Sequence, residues 1–367
     1  MNATADHSIQ ELMSGARRGP RAAATRMALR AAEPFYACAM SVRNRLYDKA
    51  MLKTVQLAKP VISVGNLTTG GTGKTPMIRW LAGWLRDEGR RVAILSRGYK
   101  AAQGQMGDEQ VMLDRQLNGP GQSMVVVRSN PDRAASAGAI LAKYPGINLF
   151  LLDDGFQHRK IRREFDIVLL SALDPFGYGH VLPRGLMREP AWGLRRATAI
   201  VITHCDCVKE AALTEIERRA RLSNPKAPIY RAIHANGGLR TSGVAASSPP
   251  DRSMRDLLAH QYFAFSGIGN PRILHGALKA LGGNYVGHRW LDDHHIYKGR
   301  ELADLQADAL AHGADLMITT EKDWVKVGQL PQATIGNPPI WRIDVELKFL
   351  DGGEMRLCEQ IRQALAT

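Results

Sequence analysis

Short apolar, β-branched runs recur from Pro60 onward, each ending in a loop: Val61–Val64, Val92–Leu95, Met124–Val127, Leu149–Leu152, Ile167–Leu170 and Ile200–Thr203. Helix-length segments such as Met77–Glu88 and Ala134–Lys143 separate most of them. Strand–helix alternation of this kind predicts a mainly parallel sheet with helices on both faces. The Ser-, Gly- and Pro-rich run Thr241–Pro250 then interrupts the pattern, and Tyr262–Ser266, Tyr285–His288, Leu316–Thr319 and Ile340–Val345 resume it. The expected organisation is one α/β domain over 56–223, a linker over 224–255 and a second, smaller α/β domain over 256–367. Upstream, Phe35, Ala39, Val42, Leu46 and Ala50 step by three and four residues, so a helix over 34–55 is expected, with Arg43, Asn44, Arg45 and Lys49 off that face. Two environments suit such a helix: its own domain, or an anionic membrane interface. Residues 1–33 read as a basic Ala/Arg-rich extension.

Composition adds a question of partners. The 367 residues carry 49 Lys and Arg against 35 Asp and Glu, a net charge of +14, which suits a polyanion: nucleic acid, an acidic bilayer or a phosphorylated small molecule. No uninterrupted apolar stretch is long enough to span a membrane. The arginines of the first thirty residues lead into no apolar core of a secretory signal. Four cysteines make no disulfide framework, and a reducing, cytoplasmic compartment is the simplest expectation.

The most informative stretch is Pro60 through Pro76. An apolar strand runs through Gly65-Asn66-Leu67 into Thr68-Thr69-Gly70-Gly71-Thr72-Gly73-Lys74-Thr75, and a helical pattern follows. Glycines let backbone N–H groups converge on phosphate oxygens, and a helix N-terminus adds partial positive charge. Lys74 then reaches the β/γ-phosphates and Thr75 offers its hydroxyl to Mg2+. The strict G-x-x-x-x-G-K-[ST] pattern fails at its first position, Thr68, so the loop is a Gly-Gly-x-Gly-Lys-Thr variant. Downstream, the apolar run Asn148–Leu152 ends in Asp153-Asp154, the acidic strand end that a nucleotide-bound Mg2+ calls for.

Further motifs follow in order: Ser96-Arg97-Gly98-Tyr99-Lys100, Gly107-Asp108-Glu109-Gln110 on a loop, and Asp154-Gly155-Phe156-Gln157-His158. Leu182-Pro183, Gly185, Arg188-Glu189-Pro190, Phe265-Ser266-Gly267-Ile268-Gly269-Asn270-Pro271, Asp293-His294-His295 and Thr320-Glu321-Lys322-Asp323 complete the series. The series resembles the tetraacyldisaccharide 4'-kinases of lipid A biosynthesis, from about residue 35 to about residue 330. It departs from their usual pattern at Gln110 and Leu291, and in Lys100, Arg184, Leu186 and Met187, none of which removes a group the chemistry needs.

The resemblance implies a P-loop kinase that transfers the ATP γ-phosphoryl to the 4'-hydroxyl of an acylated glucosamine disaccharide 1-phosphate. It implies a peripheral protein at the cytoplasmic face of the inner membrane. Thr68–Thr75 would bind nucleotide, with Lys74 catalytic. Thr75, Asp153, Asp154 and Glu189 would surround Mg2+. Asp108 would be the base, paired with His294, and Arg97, Tyr99, Gln157, His158 and Arg188 would meet the acceptor. Arg159, Lys160, Arg162, Arg163 and Arg184 add to a cationic acceptor side. Thr320-Glu321-Lys322-Asp323 has its lysine one place late for the [NT]-K-x-D guanine-reading pattern, so ATP is expected over GTP. Two other readings compete: a membrane-associated P-loop switch or scaffold without an acceptor, and a nucleic-acid binder. The second lacks any basic motif interleaved with aromatics, so no nucleic-acid partner is expected.

Overall fold

The structure is a computed structural model that describes residues 9, 11–97, 108–118, 125–241, 250–268, 271–292, 295–330 and 336–366. It divides into two compact units. The larger comprises His7–Gly107, Ser123–His234 and Leu347–Thr367, and the smaller comprises Asp108–Gln122 and Ala235–Glu346.

The larger unit holds β1 (Val61–Asn66), β2 (Val92–Ser96), β3 (Val125–Ser129), β4 (Leu149–Asp153), β5 (Phe165–Ser171) and β6 (Ala199–Thr203), together with the start of β7 (Ile229–Arg240). Their order is β3-β2-β4-β1-β5-β6-β7, with β1 paired in parallel to β4 and β5. Every residue of β1, β2, β5 and β6 is buried, which requires cover on both faces. On one face Phe150 and Leu152 of β4 pack with Ala137 and Ile140 of the helix Arg133–Lys143. Elsewhere Val168, Leu170, Ile200 and Ile202 pack with Leu213 and Ile216 of the helix Glu210–Ser223. The mainly parallel sheet with cover on both faces that the apolar runs predict is the one observed.

In the smaller unit the order runs from β7 through β11 (Ile340–Phe349), β10 (Leu316–Thr320) and β8 (Gln261–Ser266) to β9 (Asn284–Trp290). β10 pairs in parallel with both β8 and β11. Its core is built on Phe263, Phe265, Leu302 and Leu305 on one side and Tyr262, Ala264, Leu278 and Ile318 on the other.

Three features differ from the sequence expectation. Residues 229–240, assigned above to a linker, form the twelve-residue strand β7. Its polar and glycine positions hid it, although Tyr230 and Ala232 are buried in strict alternation. The N-terminal helix runs Pro20–Asp48, with Pro34 inside it. Proline favours the first turn of a helix, so Pro34 reads as a start, whereas the true start has Pro20 in that place. Gly107–Gln110 were expected on a loop, yet Asp108 opens the helix Asp108–Leu117, whose Met112, Leu113 and Leu117 are buried.

The unit boundaries also depart from those expected. Asp108–Gln122 belongs with the smaller unit, where Gln116 bonds to Glu321. The final helix, Gly353–Ala366, belongs with the larger: Trp80 donates to Glu354 at 2.8 Å and Arg362 to Glu88 at 2.8 Å.

Candidate active site

The phosphate loop leaves β1 at its carboxyl end, beside the end of β4, the edge at which parallel α/β sheets bind ligands. Backbone pairing fixes its first half. Arg188 N donates to Leu67 O at 2.9 Å and Thr69 N to Leu186 O at 2.8 Å. Thr203 at the end of β6 fixes its second half, its hydroxyl donating to Thr72 O at 3.0 Å. Gly70 and Gly71 face open space, and Gly70 has φ 112°. Gly73 has φ 84° and caps the helix Lys74–Asp87. A Cβ there would lie 2.5 Å from His234 Nε2, so only glycine fits. Burial pushes the His234 imidazole down to about 3, assisted by His204 and Arg79, so it packs there uncharged.

Lys74 Nζ lies 3.2 Å from Asn66 Oδ1 and 3.7 Å from Asp154 Oδ1. Asp153 ends β4, and Asp154 turns the chain with φ 51°. Arg188 Nη1 donates to both Asp154 oxygens, at 2.8 and 2.6 Å. Burial alone would raise the Asp154 carboxyl, but Lys74 and Arg188 outweigh it and hold the group below its ordinary range. Beneath lies Arg133, buried, with Nη1 donating to Asp154 O at 3.3 Å. Burial depresses its pKa, and Asp153 and Asp154 oppose that. Arg133 is a site residue the sequence reading missed. Its only signal is an arginine just after Asp132, which caps its helix.

The turn after Asp154 rests directly on β1. A Cβ on Gly65 would lie 2.5 Å from Phe156 N, and one on Gly155 2.4 Å from Ser63 Oγ. Gln157 Nε2 donates to Asn66 O at 3.0 Å and to Glu189 Oε1 at 3.1 Å. Burial, with Arg133, Arg163 and Lys160 nearby, pushes His158 down to about 4, leaving a neutral ring in cationic surroundings.

Glu189 is fully buried. Arg196 Nη2 donates to both of its oxygens at 2.8 Å, Gln157 to Oε1, and Asn44 Nδ2 to Oε2 at 2.8 Å. Four hydrogen bonds from three donor nitrogens occupy the four lone-pair positions of the carboxylate. The other expected metal donors, the Thr75 hydroxyl and the Asp153 and Asp154 carboxylates, are hard oxygens of the kind Mg2+ takes. Among the described residues no cluster of three or more His, Cys, Asp or Glu could hold a metal, and Mg2+ ordinarily binds through one or two carboxylates plus substrate phosphates. The donor set fits that ion.

Several expected acceptor-side cations are already engaged. Arg159 donates to Asp48 at 2.7 Å and Arg163 to Gly155 O at 2.7 Å, while Arg184 donates to Met13 O at 2.7 Å. Arg97 is exposed just beyond β2. Tyr99 and His294 lie outside the described residues, and Asp108 is described only as the first residue of its helix.

The N-terminal helix docks on this site through its polar side. Tyr36 OH donates to Arg188 O at 2.8 Å, Arg43 Nη2 to Gln157 O at 2.9 Å, and Arg159 Nη1 to Asn44 O at 2.8 Å. Met27, Ala31, Phe35, Cys38 and Val42, one continuous stripe, face outward. Phe35 is 78% exposed and Met27 71%. No helix among the described residues is long and apolar enough to cross a membrane.

Comparison with known proteins extends these observations along the whole chain. A family model described as tetraacyldisaccharide-1-P 4'-kinase matches residues 25–366. The tetraacyldisaccharide 4'-kinase of Anaeromyxobacter sp. (strain K) is 37% identical over 353 residues, 90% of this chain and 89% of its own length. That of Anaeromyxobacter sp. (strain Fw109-5) is 36% identical over 374 residues, 98% of this chain and 96% of its own. Among solved structures, LpxK from Aquifex aeolicus in complex with ATP matches with a TM-score of 0.69 at 27% identity, over 93% of this chain and 99% of that one. The match takes in the docked N-terminal helix, the phosphate loop and the second α/β unit alike, and the chain therefore belongs to the tetraacyldisaccharide 4'-kinase family.

Proposed function

We propose that this chain transfers the γ-phosphoryl of ATP to the 4'-hydroxyl of tetraacyldisaccharide 1-phosphate, a step of lipid A biosynthesis, while resting on the cytoplasmic face of the inner membrane. The observation that carries the chemistry is Lys74 held between Asn66 and Asp154 at the foot of a glycine loop open to solvent. Lys74 and the Gly70–Gly73 amides bind the phosphates, which repel any group not matched to their charge. Thr75, with Asp153 and Asp154, holds the metal. Bound there, Mg2+ neutralises charge on the β- and γ-phosphates. Arg188 keeps Asp154 ionised for that task, and Glu189, its lone pairs filled, serves as a buried tie between Asn44, Gln157 and Arg196 rather than as a metal ligand.

In the transfer, the acceptor oxygen bonds to the γ-phosphorus as the bond to the β,γ-bridging oxygen breaks and ADP leaves. The hydroxyl proton passes to the Asp108 carboxylate, which His294 orients. A loose transition state asks little of the base, so a carboxylate suffices. Arg97, Tyr99, Gln157 and His158 serve the phosphorylated acceptor. Membrane residence is supported by the outward apolar stripe of the N-terminal helix, flanked by the exposed Arg21, Arg30, Arg45 and Lys49.

The deciding experiment is ATP turnover with and without detergent-dispersed tetraacyldisaccharide 1-phosphate. Lipid-dependent ADP release with a bisphosphorylated lipid product is expected. Phosphate release indifferent to the lipid would instead favour the nucleotide switch.

A further inference from the structure

Glu33 of the N-terminal helix turns its side chain into the larger unit, and nothing assigned to the reaction so far uses it. Its Oε1 accepts from Val181 N at 3.0 Å, and His180 Nδ1 lies 3.0 Å from Oε2 and 3.2 Å from Oε1. Glu33 and His180 are 19% and 21% exposed, so water competes for the pair only in part. One helical turn on, Tyr36 OH donates to Arg188 O at 2.8 Å. The helix therefore holds the segment His180–Arg188 near both of its ends.

That segment is closed on itself. Leu182 N donates to Met187 O at 2.9 Å, Met187 N to His180 O at 3.2 Å and Gly185 N to Val181 O at 2.9 Å. A Cβ on Gly185 would strike the carbonyl oxygens of Gly177 and His180, so the turn has no room to open there. Its other side pairs with the phosphate loop: Met187 bridges Thr68, Thr69 N donates to Leu186 O, and Arg188 N to Leu67 O. Leu67, Thr68, Val181 and Met187 are all buried, and a close-packed interior transmits a displacement instead of absorbing it. The path from Glu33 to the residues that lead into Gly70 thus crosses two hydrogen-bonded strands of this turn. The second half of the loop is held separately, by Thr203 at Thr72 O.

We propose that Glu33 is a positioning residue for ATP: by clamping His180 and Val181 it seats the turn that sets the first half of the phosphate loop. This rests on Thr68–Thr75 being the ATP site proposed above. The effect of Glu33 runs through Val181 and Met187. The loop holds the phosphates before and during transfer alike, and loss of such uniform binding raises KM while leaving kcat in place.

The test compares Glu33→Ala, Glu33→Gln, His180→Ala, Tyr36→Phe and the double variant Glu33→Ala/His180→Ala, as full chains in detergent. Calorimetric titration with Mg2+ and ATP gives Kd, and turnover with the lipid acceptor gives kcat and both KM values. Thermal melting identifies the folded variants, and Tyr36→Phe, which removes one hydroxyl, carries the test if Glu33→Ala does not fold. For Glu33→Ala, Kd and KM for ATP should rise about tenfold, with kcat within about twofold and KM for the lipid unchanged. Glu33→Gln, which can still accept from Val181 N, should recover most of that loss, and Tyr36→Phe should show a smaller rise of the same kind. Adding His180→Ala to Glu33→Ala should change little, since residues acting through one another are not additive. ATP affinity unchanged in the folded variants, a fall in kcat at constant KM for ATP, or losses that multiply in the double variant overturn the proposal. Failure of the unaltered chain to bind ATP would remove the reading of the loop and this inference with it, an outcome distinct from variants that bind as the unaltered chain does.

Discussion

Nη1 of Arg188 donates to both carboxylate oxygens of Asp154, at 2.8 and 2.6 Å, while Lys74 approaches the same carboxylate at 3.7 Å. The strand-end acid is thus held ionised by two cations before any nucleotide arrives. Removing Arg188 leaves burial, the largest influence on Asp154, opposed by fewer charges. A depressed carboxylate stays charged until pH falls through its folded value, so losing the cation moves that value upward. Arg188→Ala should therefore shift the acid limb of the kcat/KM profile to higher pH. It should also lower kcat/KM near neutrality by about 10²-fold, as loss of a preorganised charged donor does. A pH–rate profile from pH 5 to 9 checks both.

Glu189 and Arg196 form a buried pair, with Arg196 Nη2 donating to both carboxylate oxygens. Glu189→Ala would leave the Arg196 guanidinium, 13% exposed, without its counter-charge. The expected loss is about 3–5 kcal/mol of unfolding free energy, the usual consequence of breaking a buried ion pair from one side. Urea denaturation measures it. Because the carboxylate's lone pairs are filled, the dependence of residual activity on Mg2+ concentration should be unchanged.

His158 and His234 are buried neutral, at about 4 and about 3. In the unfolded chain both titrate near the ordinary imidazole value of about 6.5. Between those values the unfolded state binds protons that the folded state refuses, so stability falls as pH drops. The melting temperature should decline from pH 7 toward pH 4, and His234→Gln, which keeps the ring's place without its titration, should flatten that decline. Calorimetry across that range decides.

The outward stripe on the N-terminal helix predicts an interfacial phenotype. Phe35→Ser and Met27→Ser together should reduce sedimentation with anionic vesicles by about tenfold or more, since each large side chain contributes ~1.5–3 kcal/mol when buried in an apolar medium. Both side chains are exposed, so melting should move little. Turnover on short-chain, soluble acceptor analogues should be preserved.

Much of this was legible from residues that obey one local rule. Apolar runs such as Val92–Leu95 and Ile200–Thr203 are strands because a strand covered on both faces has no polar position to spare. The phosphate loop was legible because its backbone geometry demands glycines in a set order. What escaped depended on partners far along the chain. Arg133 reaches the backbone of Asp154 only when its helix turns it there, and Glu189 takes a hydrogen bond from Asn44, 145 positions away, which no local pattern announces. β7 escaped because its Asn236, Gly237 and Gly238 read as linker residues. The helix start escaped because Pro34 obeys the rule for a first turn in the wrong place.

The N-terminal helix sets Asn44, Arg43 and Tyr36 against the protein while Met27, Phe35 and Val42 face outward. Trimming such a segment to obtain a more tractable enzyme would strip Asn44 from Glu189, Tyr36 from the Arg188 carbonyl and Asp48 from Arg159, and so loosen the segments beside the phosphate loop. Solubility is better engineered by recolouring the outer stripe at Met27, Phe35 and Val42, leaving the helix in place as an interior wall of the enzyme.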